Sequence, residues 1–162
     1  MNRRILFFSL LIFAVFLAGC NSKKKPDGLP ALYPCEITVK QDGTPLAGAT
    51  VMLLSDGGSM PWTVAGGTND AGIAKIFTHG DFAGAPLGQY KVTISKNVIE
   101  NAPSAEQLSN PNFSGPMGEA YDYVDLQYKT KDSTPLSIEI TSGKNVQEYD
   151  VGPAIREKVR IL

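Results

Sequence analysis

Two cysteines, one histidine, a loose group of acids and three aromatic side chains are the residues of this chain that could do chemistry. Cys35, His79 and Asp81 supply the types of a nucleophile, a base and an orienting acid, which a triad must hold in one constellation. Cys35 lies in Cys35-Glu36-Ile37-Thr38-Val39, where a period of two puts Cys35, Ile37 and Val39 on one apolar face. That spacing predicts a small packed residue, not an exposed thiol. His79 sits in Thr78-His79-Gly80-Asp81, which reads as a polar strand exit. A single histidine excludes sites built on two, and zinc sites of Cys/His type lack ligands. No catalytic residue, metal site or cofactor is expected.

The acids Glu119, Asp122 and Asp125, with Asp132 further on, offer oxygens of the kind that bind Ca²⁺. They follow no recognised ligand spacing and read as a solvated loop. Nothing singles out a carboxylate pair for glycoside hydrolysis. Trp62 follows Met60-Pro61 beside a Gly-rich turn, and Tyr121 and Tyr123 follow a long irregular segment. Flat rings at a sheet edge stack on sugar or peptide, and the same rings equally pack onto a sheet. Trp62, Tyr121 and Tyr123 are the candidate ligand-binding residues.

The remaining cysteine, Cys20, closes Leu17-Ala18-Gly19-Cys20. Arg3 and Arg4 give a positive start, and Ile5 to Ala18 is an apolar run of roughly fourteen residues, short for a spanning helix and right for a secretory leader. This resembles the signal of bacterial lipoproteins, in which the chain is cut before the cysteine and that cysteine is acylated. The resemblance implies a signal peptide over 1–19, lipid attachment (palmitate) at Cys20, and a stable hold on the bilayer through several acyl chains. Asn21, in place of Asp at the second position, implies the outer membrane over the inner one in a diderm host. Residues 20–34, with Lys23-Lys24-Lys25 and three prolines, read as a lipidated, flexible, solvated tether.

The rest must position the candidates. Composition is mildly acidic, with 15 Lys and Arg against 16 Asp and Glu, and Arg3 and Arg4 leave with the leader. Nucleic acid is not an expected partner. Sixteen glycines and eleven prolines suit a turn-rich β protein. Alternation marks strands at Cys35 to Gln41, Ala49 to Ser55, Ile73 to Thr78, Gly88 to Ser95, Tyr123 to Lys129, Leu136 to Thr141 and Val146 to Val151, with a weak one at Trp62 to Gly66. Residues 97–118 lose the pattern and read as a long loop, with one helical turn near Ser104 to Leu108. About seven short strands without a long helix argue an all-β antiparallel sandwich over residues 35–152. In the tail 153–162, Ile155, Val159 and Leu162 fit a helical face, whereas Val159-Arg160-Ile161 fits a short strand.

Three segments resemble a known family. Gln41 to Val51 (Gln-Asp-Gly-Thr-Pro-Leu-Ala-Gly-Ala-Thr-Val), Thr68-Asn69-Asp70-Ala71-Gly72-Ile73-Ala74 and Gly88-Gln89-Tyr90-Lys91-Val92-Thr93-Ile94 are similar to the opening, the turn and the closing strand of carboxypeptidase-regulatory-like and transthyretin-like domains. Thr134-Pro135-Leu136 and Gly143-Lys144-Asn145 resemble small planctomycete-type lipoproteins with this domain. The resemblance implies an Ig-like/transthyretin-like sandwich and says little about activity. Together the readings lead to a membrane-anchored envelope lipoprotein that is a non-catalytic binding or structural module. Its partners would be the bilayer and an envelope protein or glycan. The alternative is a small envelope hydrolase, glycan- or peptide-directed, using loop carboxylates.

Overall fold

The computed structural model describes residues 24–58 and 60–159. The leader 1–19, Cys20 and the first part of the tether lie outside the described residues. Strands take up 42% and helices 6%, so the chain is all-β, as the alternation predicts.

Two sheets enclose the core. The first is centred on β1 (Cys35–Gln41), flanked by β12 (Asn145–Asp150) on one side and by β2 (Thr44–Pro45) and β5 (Ile73–Lys75) on the other. The second runs β11 (Ser137–Ile140), β8 (Gly88–Ser95), β3 (Thr50–Ser55), β4 (Val64–Gly67), β6 (Phe77–Thr78) and β7 (Phe82–Ala83). Cys35, Ile37 and Val39 from β1 meet Val51 and Leu53 from β3, Tyr90, Val92 and Ile94 from β8, and Ile138 and Ile140 from β11 in one buried cluster. Period-two alternation therefore does its usual work: one face of each strand leaves water, at about 1.5–3 kcal/mol for each large apolar side chain. The architecture is a two-sheet β-sandwich.

Turn chemistry sets the register. Asp42 and Gly43 both have positive φ, 50° and 76°, the pairing of a tight hairpin turn whose twist matches its strands. Asn69 Oδ1 accepts from the N–H of Ala71 and of Ile73, both at 3.0 Å. Gly72 follows with φ of 73°, where a Cβ would stand 2.5 Å from the Val39 carbonyl oxygen, so only glycine fits.

Four departures from the sequence reading are informative. All the strand pairs are antiparallel except β1 with β12, which run parallel from Cys35 opposite Asn145 to Lys40 opposite Asp150. Ile73 to Thr78 is two strands, because the chain changes sheet at Ile76. The Ile76 N–H reaches Cys35 O of the first sheet at 3.0 Å, while its carbonyl accepts from Gly84 beside β7 at 2.8 Å. Residues 97–118 are not all loop. They open with β9 (Asn97–Glu100) and hold α1 (Ala105–Ser109), where Ser104 caps as a helical turn there requires. Tyr123 to Lys129 is not a strand. Asp125 accepts from Gln127 N and starts a 3₁₀ turn over Leu126–Tyr128; the strand is upstream, at β10 (Glu119–Asp122).

A third sheet pairs β9 with β10 and β10 with β13 (Glu157–Lys158). In the tail 153–162 the strand is Glu157–Lys158, just ahead of the expected Val159-Arg160-Ile161, and residues 160–162 lie outside the described residues.

The registers give the sandwich two poles. Ser55 of β3 lies opposite Tyr90 near the start of β8, and Thr50 lies opposite Ser95 at its end. The β3–β4 loop with Trp62, the head of β1 and the tether root thus share one pole. There Tyr33 pairs with Ala85, through N–H to carbonyl bonds of 2.9 Å in each direction. The third sheet sits at the other pole, where Gln41 Nε2 donates to Tyr123 O at 2.7 Å. The tether therefore ends before Tyr33, which packs against the core. No helix among the described residues is long and apolar enough to cross a membrane.

Candidate functional site

The sequence candidates fall at opposite poles. Tyr121 and Tyr123 belong to the third sheet, and Trp62 to the β3–β4 loop. The structure does not bring the three together.

In the third sheet, charge and aromatic chemistry interlock. Arg156 donates to Glu100 as a fork, Nε to Oε1 at 3.0 Å and Nη2 to Oε2 at 2.6 Å. The Tyr123 hydroxyl donates to the same Oε1. The Arg156 guanidinium lies 3.7 Å over the Tyr121 ring, and the Tyr121 hydroxyl donates to Glu119 Oε2 at 2.6 Å. Lys158 pairs with Glu119 and Lys129 with Asp122. Asp122 Oδ1 is buried without a hydrogen-bond partner, and nothing in the structure explains it. Both tyrosines therefore spend their hydroxyls inside the sheet, and one face of Tyr121 is covered. Of the acids that read as a solvated loop, Glu119 instead holds the C-terminal strand through Lys158, Asp122 pairs with Lys129 and Asp125 caps the 3₁₀ turn. Sequence spacing hid the first of these, because Lys158 is far along the chain.

These contacts keep the carboxylates charged. The Arg156 fork, then the Tyr123 hydroxyl, hold Glu100 down to about 2. Lys158, then Tyr121, lower Glu119. A group whose folded pKa is depressed stabilises above its unfolded value and loses that contribution as protons fill it. The grip of Glu100 on Arg156 is therefore complete above pH ~5 and lost on acidification toward its folded value. We expect β13 to loosen across that window while the sandwich persists. Chemical shifts of Arg156 and Lys158 during an acid titration check it; a tail that stays docked at pH ~2 would refute the assignment.

At the first pole, Trp62 stands at the junction of two shallow concavities, of about 330 Å³ and about 220 Å³. Met60, Ser55 and Gly58 line both. Pro30, Pro61 and Pro86 wall the larger one, and Lys131 closes the smaller. Lys131 Nζ donates to Ser55 O at 2.7 Å and stands 4.0 Å from Asp56. The Trp62 ring is half-buried and meets His79 edge-on, centroids 5.5 Å apart. His79 is thus an exposed turn residue with φ of 55°, at work against an indole.

Cys35 is buried, as the alternation predicts. Burial, then the neighbouring Glu36 carboxylate, push its thiol up to about 11. A thiol so held stays protonated at neutral pH and is a poor nucleophile.

No protein-family model and no curated protein sequence matches the chain. Among solved structures it is similar to the major pilin subunit of Bacillus cereus, at 16% identity and a TM-score of 0.40. The match covers 74% of this chain and spans 30% of that pilin.

Proposed function

We propose that this chain is an exported envelope lipoprotein, held to the bilayer by an acylated Cys20, and that it acts as a non-catalytic binding or structural module. One observation carries the reading: the tether root and the arm 97–118 occupy opposite poles of a rigid sandwich. An anchor at one pole turns the other outward. The arm then offers Ile99, Leu108 and Met117, exposed at 59%, 52% and 66%, to an envelope protein or glycan. Helix α1 buries none of its residues, so its packing value is unspent within the monomer. The sites named for a hydrolase support this reading by their chemistry. An acid catalyst needs a carboxyl held protonated. Glu100 and Glu119 are instead lowered by cations, and Asp122 faces Lys129.

Metabolic labelling with a fatty-acid analogue tests the anchor. Wild-type chain is expected to take up label and stay with membranes after a salt wash. Cys20→Ser is expected to lose the label. An unlabelled wild-type chain, or label retained by the variant, would overturn the anchor. Replacing Leu108 and Met117 together with serine is expected to abolish capture of the partner from detergent-solubilised envelopes without changing the melting temperature.

A further inference from the structure

We propose that the Trp62 pole seats on the bilayer surface, with Trp62, Pro61 and Leu87 at the lipid–water boundary. The inference rests on the acylated Cys20 of the proposed function. The larger Trp62 concavity is walled by the tether itself, through Gly28 and Pro30. Gly28 is eight Cα steps from Cys20, which at full extension reach about 28 Å. The same length is about one strand of the sandwich, since the eight residues of β8 span about 27 Å. The cleft can therefore never leave the neighbourhood of the membrane, whereas the arm lies a full strand length further out.

Chemistry matches that position. Tryptophan is the residue of choice where one end of a ring is apolar and the other wet. Trp62 is half-buried, and Leu87 beside Pro86 is 55% exposed. Prolines carry no N–H to desolvate, so the exposed Pro30 and Pro61 meet lipid at low cost. Two cations of this pole are held by acids, Lys131 4.0 Å from Asp56 and Lys144 2.8 Å from Glu36. A weak surface affinity suffices, because the anchor makes the docking step intramolecular.

Trp62 is the one tryptophan of the chain, so its emission reports on this pole alone. The full lipidated protein is reconstituted into phosphatidylcholine vesicles, with or without bromine near the top of the acyl chains. A blue shift and loss of most emission on brominated lipid support the proposal. Inserting a long Gly/Ser segment between Lys25 and Pro26 should then restore part of the emission, because effective concentration falls as a linker lengthens. Protein that floats with vesicles yet keeps its emission overturns the proposal and leaves the anchor standing. Protein that does not float removes the anchor, and the proposal with it. Emission indifferent to lipid but shifted by soluble glycan chains assigns the cleft to a sugar and also overturns it.

Discussion

Truncating Tyr90 to alanine is expected to lower unfolding free energy by about 3–5 kcal/mol, a third or more of what a domain of this size holds. Tyr90 is among the largest fully buried side chains, packed between the two sheets at the first pole. Its hydroxyl donates to Pro86 O at 2.9 Å, four residues back, as a tyrosine corner does. The loss therefore combines a ring-sized cavity with an unpaired buried carbonyl. Tyr90→Phe separates the two, because it keeps the ring and removes only the hydrogen bond. It is expected to cost about 1–3 kcal/mol. Urea denaturation of both variants checks the ratio; equal losses would show that the ring adds nothing beyond its hydroxyl.

Replacing Asn145 with alanine is the second large effect, expected at about 2–4 kcal/mol. The side chain is nearly buried at 8% exposure and bonds only to its surroundings at the turn into β12. Oδ1 accepts from Thr141 N at 3.0 Å, and Nδ2 donates to Thr141 O at 3.1 Å, Gly143 O at 3.2 Å and Pro34 O at 3.3 Å. One amide thus closes the connection between the two sheets and ties it to the head of β1. Alanine leaves those groups without partners where water enters poorly. Asparagine to aspartate should cost as much or more, since a carboxylate cannot donate to three carbonyls. Urea midpoints of Asn145→Ala and Asn145→Asp check the order; an Asp variant as stable as wild type would show that the donors do not matter.

Local signals were legible wherever burial has a period of two. β1, β3, β8, β11 and β12 stand where alternation put them, and Asp42-Gly43 and Asn69 to Gly72 turn where their side chains say they must. Failures share one cause: the deciding partner is far along the chain. Asn97 to Glu100 carries no alternation because neither face is fully buried, and only pairing with Glu119 to Asp122 makes it a strand. Tyr123 to Lys129 imitates a strand, since Val124 is buried and Tyr128 packs on the core, but Leu126 is 66% exposed and Asp125 turns the backbone. The clasp of Asn145 on Pro34, 111 residues away, was invisible in sequence. The tyrosines were singled out as rings for a ligand, and the bonds of their hydroxyls to Glu119 and Glu100 were not foreseen. Their partner Arg156 lay in a tail that local pattern left between helix and strand.

The parallel pairing of β1 with β12 has a consequence for biogenesis. Lys40 and Glu148, joined across that ladder at 2.7 Å, are 108 residues apart. Closing such a distant contact is slow, because chain entropy must be surrendered before any reward arrives. As the chain emerges, one edge of β1 waits with its backbone groups unclaimed until nearly the whole polypeptide has followed. Completion of the chain is thus the trigger for closing the first sheet, and escorts that shield unpaired edges would act in that interval.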